Sequence, residues 1–137
     1  MIPIHVMPDT PTQAFLTALQ QQGFAGEIDT SAAQRAVYAT DNSIYERPPQ
    51  AIVCPKHVAD LQVLTRLLAE ERFRGVVVTA RGGGTGTNGQ SLTEGIVVDV
   101  SRHMNHILSI DVAKRQVRVQ AGVVKDQLNR ALKPHGL

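Results

Sequence analysis

Several kinds of residue are scarce in this sequence, and each shortage excludes a class of protein. The 137 residues include a single cysteine, Cys54, so the chain can form neither an internal disulfide nor a zinc or iron–sulfur site built from its own cysteines. No apolar run approaches the roughly 20 residues of a membrane-spanning helix. Residues 1–8 contain two prolines and no lysine or arginine, unlike a signal peptide. We therefore expect a cytoplasmic protein with no integral membrane segment.

An excess of charge of one sign is also lacking. Lysine and arginine number 14 and aspartate and glutamate 12, which leaves a net charge of +2. No basic run of the kind that follows a nucleic-acid backbone occurs. Only three Phe and two Tyr supply aromatic rings, whereas 42% of the residues are hydrophobic. The length and composition predict a single globular domain with a modest aliphatic core and no nucleic-acid partner.

Glycine, by contrast, is concentrated in residues 81–90, which read R-G-G-G-T-G-T-N-G-Q. This stretch lies between two apolar runs, residues 76–78 and 96–98, that are typical of strands. Closely spaced glycines let successive backbone N–H groups point into one concavity, which suits a phosphate or pyrophosphate. The predicted binding residues are Arg81, Gly82, Gly83, Gly84, Thr85, Gly86, Thr87, Asn88, Gly89 and Gln90.

Other interpretations of the glycine stretch fit less well. Residues 84–89 match the dinucleotide pattern G-x-G-x-x-G, but residues 90–95 are too few to form the helix that this pattern requires before the next strand. A Walker loop needs a lysine after Gly89, and Gln90 stands there. A plain glycine hairpin remains an alternative, although a hairpin needs two turn residues rather than ten. The favoured interpretation is a strand, loop and strand that bind an anion through backbone groups.

The rest of the chain has the pattern of a mixed α/β protein. We predict helices at about 11–22, 32–38, 57–72 and 124–132, and strands at 51–54, 76–80, 96–100, 107–110 and 117–120. The buried face of the third helix is predicted to contain Val58, Leu61, Leu64, Leu67 and Leu68. The first two strands and the helix between them form a βαβ unit with parallel strands, and the last two strands form a hairpin. The glycine stretch then follows the carboxyl end of a strand, where open α/β sheets bind ligands.

Several further segments, taken together with the glycine stretch, resemble one family. Their residues and spacing over 35–137 are similar to those of flavin-linked oxidoreductases of the vanillyl-alcohol oxidase and p-cresol methylhydroxylase type. The matching segments are residues 40–45, which read T-D-N-S-I-Y, and residues 49–55, 81–89, 95–105, 119–123 and 128–137. Within that family, the resemblance is closest to the D-lactate, glycolate and D-2-hydroxyglutarate dehydrogenases, and to the large members with an iron–sulfur region after the flavin part.

The resemblance implies an α+β fold with α/β character, the first subdomain of the p-cresol methylhydroxylase-type FAD-binding fold. It divides the chain into an N-terminal helical segment, residues 1–47, and the N-terminal half of an FAD-binding domain, residues 48–137. The loop 81–90 would hold the FAD pyrophosphate. Some relatives attach FAD covalently through a histidine of this loop, but Thr85 stands at that position, so we expect non-covalent binding.

The resemblance also implies that this chain is a fragment of a flavin-dependent dehydrogenase. The whole protein would act on a small-molecule 2-hydroxy acid and pass electrons to a further acceptor. Its substrate domain, its catalytic residues and any iron–sulfur cluster would lie beyond residue 137, so this fragment alone would be inactive and its exposed apolar surface would favour self-association. Two alternatives stay open: a flavin enzyme for a sugar, polyol or cell-wall precursor, and a non-catalytic module that binds another phosphate or nucleotide.

Individual polar residues outside the loop predict no chemistry of their own. His103 and His106 have the spacing of a metal pair but lack a third ligand, so no metal site is expected. Cys54 is expected to be a small buried hydrophobic residue. Asp41 is expected to cap a turn and Asp99 to lie in a strand rather than to form a catalytic pair.

Overall fold

The computed structural model describes residues 10–137. The first nine residues of the predicted segment 1–47, and with them the residues compared with a signal peptide, lie outside this range. The helices are α1 Pro11–Gln21, α2 Ala32–Val37, α3 Val58–Leu68 and α4 Lys125–Leu132. The strands are β1 Glu27–Asp29, β2 Ala51–Cys54, β3 Val78–Arg81, β4 Ile96–Asp99, β5 Ile107–Asp111 and β6 Gln116–Val119. Short 3₁₀ turns follow α3 and α4 at Glu71–Phe73 and Lys133–His135.

The first two helices begin where the capping residues predict. The Thr10 hydroxyl accepts a hydrogen bond from the Gln13 N–H at 3.2 Å, and Pro11 occupies the first helical position. The Ser31 hydroxyl accepts from the Gln34 N–H at 3.4 Å in the same way at the start of α2. These side chains satisfy backbone donors that have no partner within the helix.

The third helix is shorter than predicted, because it ends at Leu68 rather than near residue 72. Glu70 takes an extended backbone conformation, with φ −74° and ψ 135°, and the chain turns there. This turn carries Phe73 into the core, where its ring meets Phe15 edge-on with the centroids 5.2 Å apart. The burial of an aromatic ring against α1 therefore replaces the last turn of the helix.

The main sheet has the strand order β1-β2-β4-β3. The predicted parallel direction of β2 and β3 is confirmed, but β4 lies between them and pairs in parallel with both. The short edge strand β1, antiparallel to β2, was not predicted. Because β3 and β4 are parallel, the glycine stretch between them is not a hairpin, and that alternative is wrong.

Helices α1 and α3 cover one face of this sheet and share a core with the two central strands. The core combines Phe15, Leu16 and Leu19 of α1, Leu64 and Leu67 of α3, Ala51 and Val53 of β2, and Ile96 and Val98 of β4. Successive side chains of a strand point to opposite faces, so Ile52, Cys54 and Val97 lie on the other face, where Tyr38 packs. The prediction for Val58 is wrong, because this residue is 59% exposed at the start of α3 while Asp60 is buried.

The last part of the chain lies apart from the main sheet. Strands β5 and β6 form a separate antiparallel hairpin, as predicted, and α4 follows it. Apolar residues of this part are largely exposed: Leu108, Val112, Val119 and Val124. Within residues 10–137, no helix has both the length and the apolar character needed to cross a bilayer.

A buried carboxylate joins α3 to the loop before β1. Asp60 is 2% exposed and accepts hydrogen bonds from the backbone N–H groups of Ala25, Lys56 and His57 at 2.8, 2.8 and 3.0 Å. Burial by itself would raise the pKa of Asp60, but the three backbone donors outweigh it and lower the pKa. The ionised form therefore stabilises the folded state.

The substitution Asp60→Asn is expected to lower the free energy of unfolding by about 1–3 kcal/mol at pH 7, because an amide cannot accept from all three donors. A carboxyl group whose pKa is lower in the folded state stabilises that state at pH values above its pKa in the unfolded state. This stabilisation is lost as the pH falls through the pKa of the folded state. The difference between parent and variant should therefore shrink below about pH 4 in urea denaturation. Glu46→Gln, at an exposed site, is the control. A difference independent of pH would contradict this account.

Candidate functional site

The glycine stretch forms a crossing loop that runs along the edge of the main sheet. Residues 82–95 leave the carboxyl end of β3 and return to the amino end of β4, a parallel neighbour. Arg81, which we predicted as the first residue of the loop, is instead the last residue of β3, in register with Asp99 of β4. Its position is therefore set by the sheet rather than by the loop.

A second segment, residues 40–50, lies beside this loop along its whole length and braces it. Six hydrogen bonds join this segment to the loop and to Arg81 just before it, from the carboxyl end of β3 to the amino end of β4. They are Arg81 Nη1 to Thr40 O (2.9 Å), Asn42 N to Gly84 O (3.1 Å), Ser91 Oγ to Asp41 Oδ2 (2.9 Å), Arg47 Nη1 to Glu94 Oε1 (2.7 Å), Gln50 Nε2 to Glu94 O (2.9 Å) and Gln50 N to Gly95 O (2.7 Å). We did not predict this brace, because none of its pairs is local in sequence.

The loop leaves a row of backbone donors without a partner in the described part of the chain. No residue of 10–137 accepts a hydrogen bond from the N–H groups of residues 82–87. The next N–H group, that of Asn88, donates to the Gln90 side chain at 3.1 Å. Successive unpaired N–H groups in a turn form a concavity that binds anions. The first half of the loop is therefore the part that is suited to an anion.

Two glycines of the loop lie directly against long side chains. Gly84 has φ +66°, which strains any residue with a β-carbon, and a Cβ there would come within 2.5 Å of Nη2 of Arg81. At Gly86 a Cβ would meet the end of the Gln90 side chain at 2.4 Å, so that side chain would have to shift. The absence of a β-carbon at Gly84 lets the Arg81 guanidinium lie directly against the loop backbone.

Two cavities border the loop, one at each end. The smaller, about 390 Å³, contains Arg81, Gly84 and Thr85 with residues 40–42 on its other side. The larger, about 620 Å³, lies near the amino ends of β3 and β4 and is lined by the second half of the loop, at Asn88, Gly89 and residues 92–95. The smaller cavity is the better anion site despite its size, because Arg81 lines it together with Gly84 and Thr85, two members of the row of unpaired N–H groups.

The charges in the smaller cavity nearly cancel. Hydrogen bonding from Ser43, above all, lowers the pKa of Asp41, with smaller contributions from the Ser91 hydroxyl and the positive charge of Arg81. Asp41 is therefore a carboxylate that faces the same cavity as the Arg81 guanidinium. The net charge of this cavity would therefore contribute little to the binding of an anion. Its recognition would depend on the loop N–H groups and on where the guanidinium is held.

The remaining polar residues singled out from sequence are placed in structural roles. Asp41 accepts from the Ser43 N–H at 2.8 Å, which confirms the predicted turn cap. Asp99 accepts from the hydroxyls of Tyr38 at 2.5 Å and Ser101 at 2.7 Å, at the end of β4. Cys54 is 1% exposed, and burial raises the pKa of its thiol, so it behaves as the expected buried apolar residue.

The two histidines have separate partners rather than a shared one. His103 Nε2 lies 2.7 Å from Glu27 Oε1, and His106 Nδ1 lies 2.8 Å from Gln120 Oε1. Among the residues that the structure describes, no group of three or more metal-ligating side chains comes together. The two imidazoles therefore make separate polar contacts in this structure.

Comparison with known proteins identifies the family. A family model described as an FAD binding domain matches residues 49–137. The chain belongs to the FAD binding domain family. Its glycine loop, the partner-free N–H groups and Arg81 all lie within the matched residues. The family expected from the sequence is confirmed.

Relatives of this FAD binding domain are much longer proteins. D-2-hydroxyglutarate dehydrogenase of Pseudomonas putida (strain KT2440) is 61% identical over 132 residues, which cover 96% of this chain and 13% of the relative. Glycolate oxidase subunit GlcD of Bacillus subtilis (strain 168) is 34% identical over 112 residues, which cover 80% of this chain and 23% of the relative. The chain thus spans only 13% of the length of the first of these proteins.

The solved structures agree with the predicted fold. A structure of p-cresol methylhydroxylase with substrate bound matches 93% of this chain and 24% of its own, with a TM-score of 0.64 and 17% sequence identity. At this identity the match shows the fold alone. It confirms the expected α+β architecture of the p-cresol methylhydroxylase type for this FAD binding domain.

Substitution of adjacent loop glycines tests the geometry of the loop. Gly84→Ala is expected to lower the free energy of unfolding by about 1–2 kcal/mol, because alanine is strained at positive φ, and to displace the Arg81 guanidinium. Gly83→Ala is the matched control, since its Cβ would meet only the Thr85 methyl at 3.6 Å, and its effect should stay within about 0.5 kcal/mol. Urea denaturation measures both. Equal effects of the two substitutions would contradict the described loop.

Proposed function

We propose that this chain supplies the N-terminal half of the FAD-binding domain of a flavin-dependent dehydrogenase, and that its loop holds the FAD pyrophosphate without a covalent bond. The observation that carries the proposal is the row of N–H groups of residues 82–87, which donate to no described residue and lie beside Arg81. Residues 48–137 form this half-domain in the proposal, and residues 1–47 are the helical segment before it. The proposed contact residues are 81–90.

The residues present fit a pyrophosphate. Its oxygens accept hydrogen bonds, and the site offers donors for them: backbone N–H groups of the loop, the Arg81 guanidinium and the hydroxyls of Thr85 and Thr87. The absence of a β-carbon at Gly84 lets backbone and guanidinium face the same ligand. Thr85 has no nucleophilic ring nitrogen for a covalent link to the flavin. These features support non-covalent attachment.

The chemistry of the whole protein follows as part of the proposal. Bound FAD supplies a hydride acceptor for the carbon that carries the substrate hydroxyl, and the protein orients the two reactants. The electrons then pass to a further acceptor, and an iron–sulfur cluster, where one exists, belongs to the part beyond residue 137. The catalytic residues and the substrate domain belong there too. We keep the cytoplasm as the proposed compartment.

For the substrate, we propose a 2-hydroxy acid, with D-2-hydroxyglutarate ahead of glycolate and D-lactate. The support is the order of similarity: the relative named for D-2-hydroxyglutarate is 61% identical, whereas the one named for glycolate is 34% identical. The exposed apolar residues of the β5–β6 hairpin and of the start of α4, Leu108, Val112, Val119 and Val124, support self-association when the chain is produced alone.

Titration of the full-length apoprotein with FAD, followed by flavin fluorescence, tests the proposed site. The parent should bind saturably and prefer FAD to ADP, ATP and NAD. Gly84→Asp should abolish binding, because its carboxylate would lie against Arg81 and repel the phosphates. Arg81→Gln should weaken binding by about 10-fold or more, as expected for a lost charge-assisted bond.

The matched control for the charge is Arg66→Gln, on the exposed side of α3, which should bind FAD like the parent. Equal losses in the Arg66 and Arg81 variants would indicate an effect of overall charge. A full-length protein that binds no FAD would contradict the proposal, and a preference for ADP or ATP would favour a nucleotide-binding module instead.

Anaerobic reduction of the bound flavin tests the substrate. D-2-hydroxyglutarate should bleach the flavin absorbance of the full-length protein, and its L enantiomer should not. We expect kcat/KM for D-2-hydroxyglutarate to exceed that for glycolate by about 10-fold or more. Glycolate has no second carboxylate, so the polar groups that bind this carboxylate in D-2-hydroxyglutarate would be left without a partner. Preference for glycolate or D-lactate would change the substrate within the class. Reduction by none of the three would contradict the class.

A further inference from the structure

Tyr38 contacts Arg81, the residue just before the loop, and can restrict its position. It follows α2 directly, and its ring packs against Ile52, Cys54 and Val97 on the sheet face opposite α1 and α3. The Arg81 guanidinium carbon lies 5.0 Å from the centre of the same ring. A cation at this distance over an aromatic face is attracted to it. The tyrosine therefore contacts the core on one side and the binding loop's arginine on the other.

The tyrosine ring is held in place by Asp99. Its hydroxyl donates to Asp99 Oδ2 at 2.5 Å, while Oδ1 of the same carboxylate accepts from the N–H and the hydroxyl of Ser101, each at 2.7 Å. Asp99 is 5% exposed. Burial of Tyr38, together with its hydrogen bond to Asp99, raises the pKa of Tyr38, so the hydroxyl stays a donor over the working pH range.

The Arg81 guanidinium is held by the Tyr38 ring and by one hydrogen bond. Arg81 Nη1 donates to the Thr40 carbonyl at 2.9 Å, and Nη2 lies beside the left-handed backbone of Gly84. Asp41 is the one acidic residue among the described residues that line the same cavity, and it is therefore the alternative partner for this charge there. Without the ring, the guanidinium would be free to turn toward the Asp41 carboxylate and away from the loop N–H groups.

We propose that Tyr38, anchored by Asp99, is a positioning residue that holds Arg81 against the glycine loop and thereby raises the affinity for the FAD pyrophosphate. The inference rests on the proposed function of the loop. It goes beyond that function because neither Tyr38 nor Asp99 belongs to the loop. Both act through Arg81, so their effect should disappear when Arg81 is removed.

The test is a double-mutant cycle on FAD affinity in the full-length apoprotein. Tyr38→Leu should weaken FAD binding by about 10-fold when Arg81 is present, the scale of a partly desolvated cation–π contact. In the Arg81→Gln background, the same substitution should change the affinity less than about twofold, because its target is gone. Tyr38→Phe keeps the ring but loses the bond to Asp99, so a smaller loss of about threefold is expected, again only with Arg81 present.

The cycle separates positioning from a structural role. A Tyr38 side chain that only stabilised the fold would give the same loss of affinity in both backgrounds, and that result, or no loss in either, would overturn the inference. Thermal unfolding of each apoprotein identifies variants that fail to fold, and Tyr38→Phe replaces Tyr38→Leu if the latter does. A parent protein that binds no FAD would instead overturn the proposed function, so the two failures are distinguishable.

Discussion

Parallel pairing of β3 with β4 is the constraint on which the site depends. A chain that leaves one strand and enters a parallel neighbour must travel back along the full length of the sheet, and most proteins do so with a helix. Here residues 82–95 make the return without one. A helix would have used its own backbone donors internally, whereas this loop leaves the N–H groups of residues 82–87 without partners in the described chain. The topology thus creates the candidate anion site.

A loop with so few internal bonds needs support from elsewhere, and the segment 40–50 supplies it. This segment also leads into β2, so the register of the central strands sets the position of the brace. Two aspartates lie where loops meet the sheet: Asp60 and Asp99 accept from backbone N–H groups near strand ends, and Asp41 accepts from the Ser43 N–H within the brace itself. Within residues 10–137, no buried side-chain nitrogen or oxygen lacks a hydrogen-bond partner. Hydrogen bonds therefore hold in place the loops that do not contact the apolar core.

The two halves of the described chain differ in how well their apolar side chains are buried. Helices α1 and α3 cover one face of the main sheet with a continuous core, while the β5–β6 hairpin and α4 leave apolar side chains exposed. The chain covers 13% of the D-2-hydroxyglutarate dehydrogenase that it matches. An FAD binding domain of this kind can therefore present a formed glycine loop beside a surface with exposed apolar side chains. The site and the open surface lie on different parts of the chain.

The sequence by itself determined the local features: the capped starts of α1 and α2, most strand positions, the glycine loop, and the family through the spacing of its segments. These follow from residues close together in the chain, such as Thr10 with Gln13. Only the tertiary structure decided that β4 lies between β2 and β3, that α3 stops early to bury Phe73, and that Asp60 rather than Val58 faces the core. It also brought Tyr38 under Arg81 and Asn42 against Gly84. Such contacts depend on strand order and register, which local propensity and spacing do not specify, because each strand could pair with any other of matching pattern.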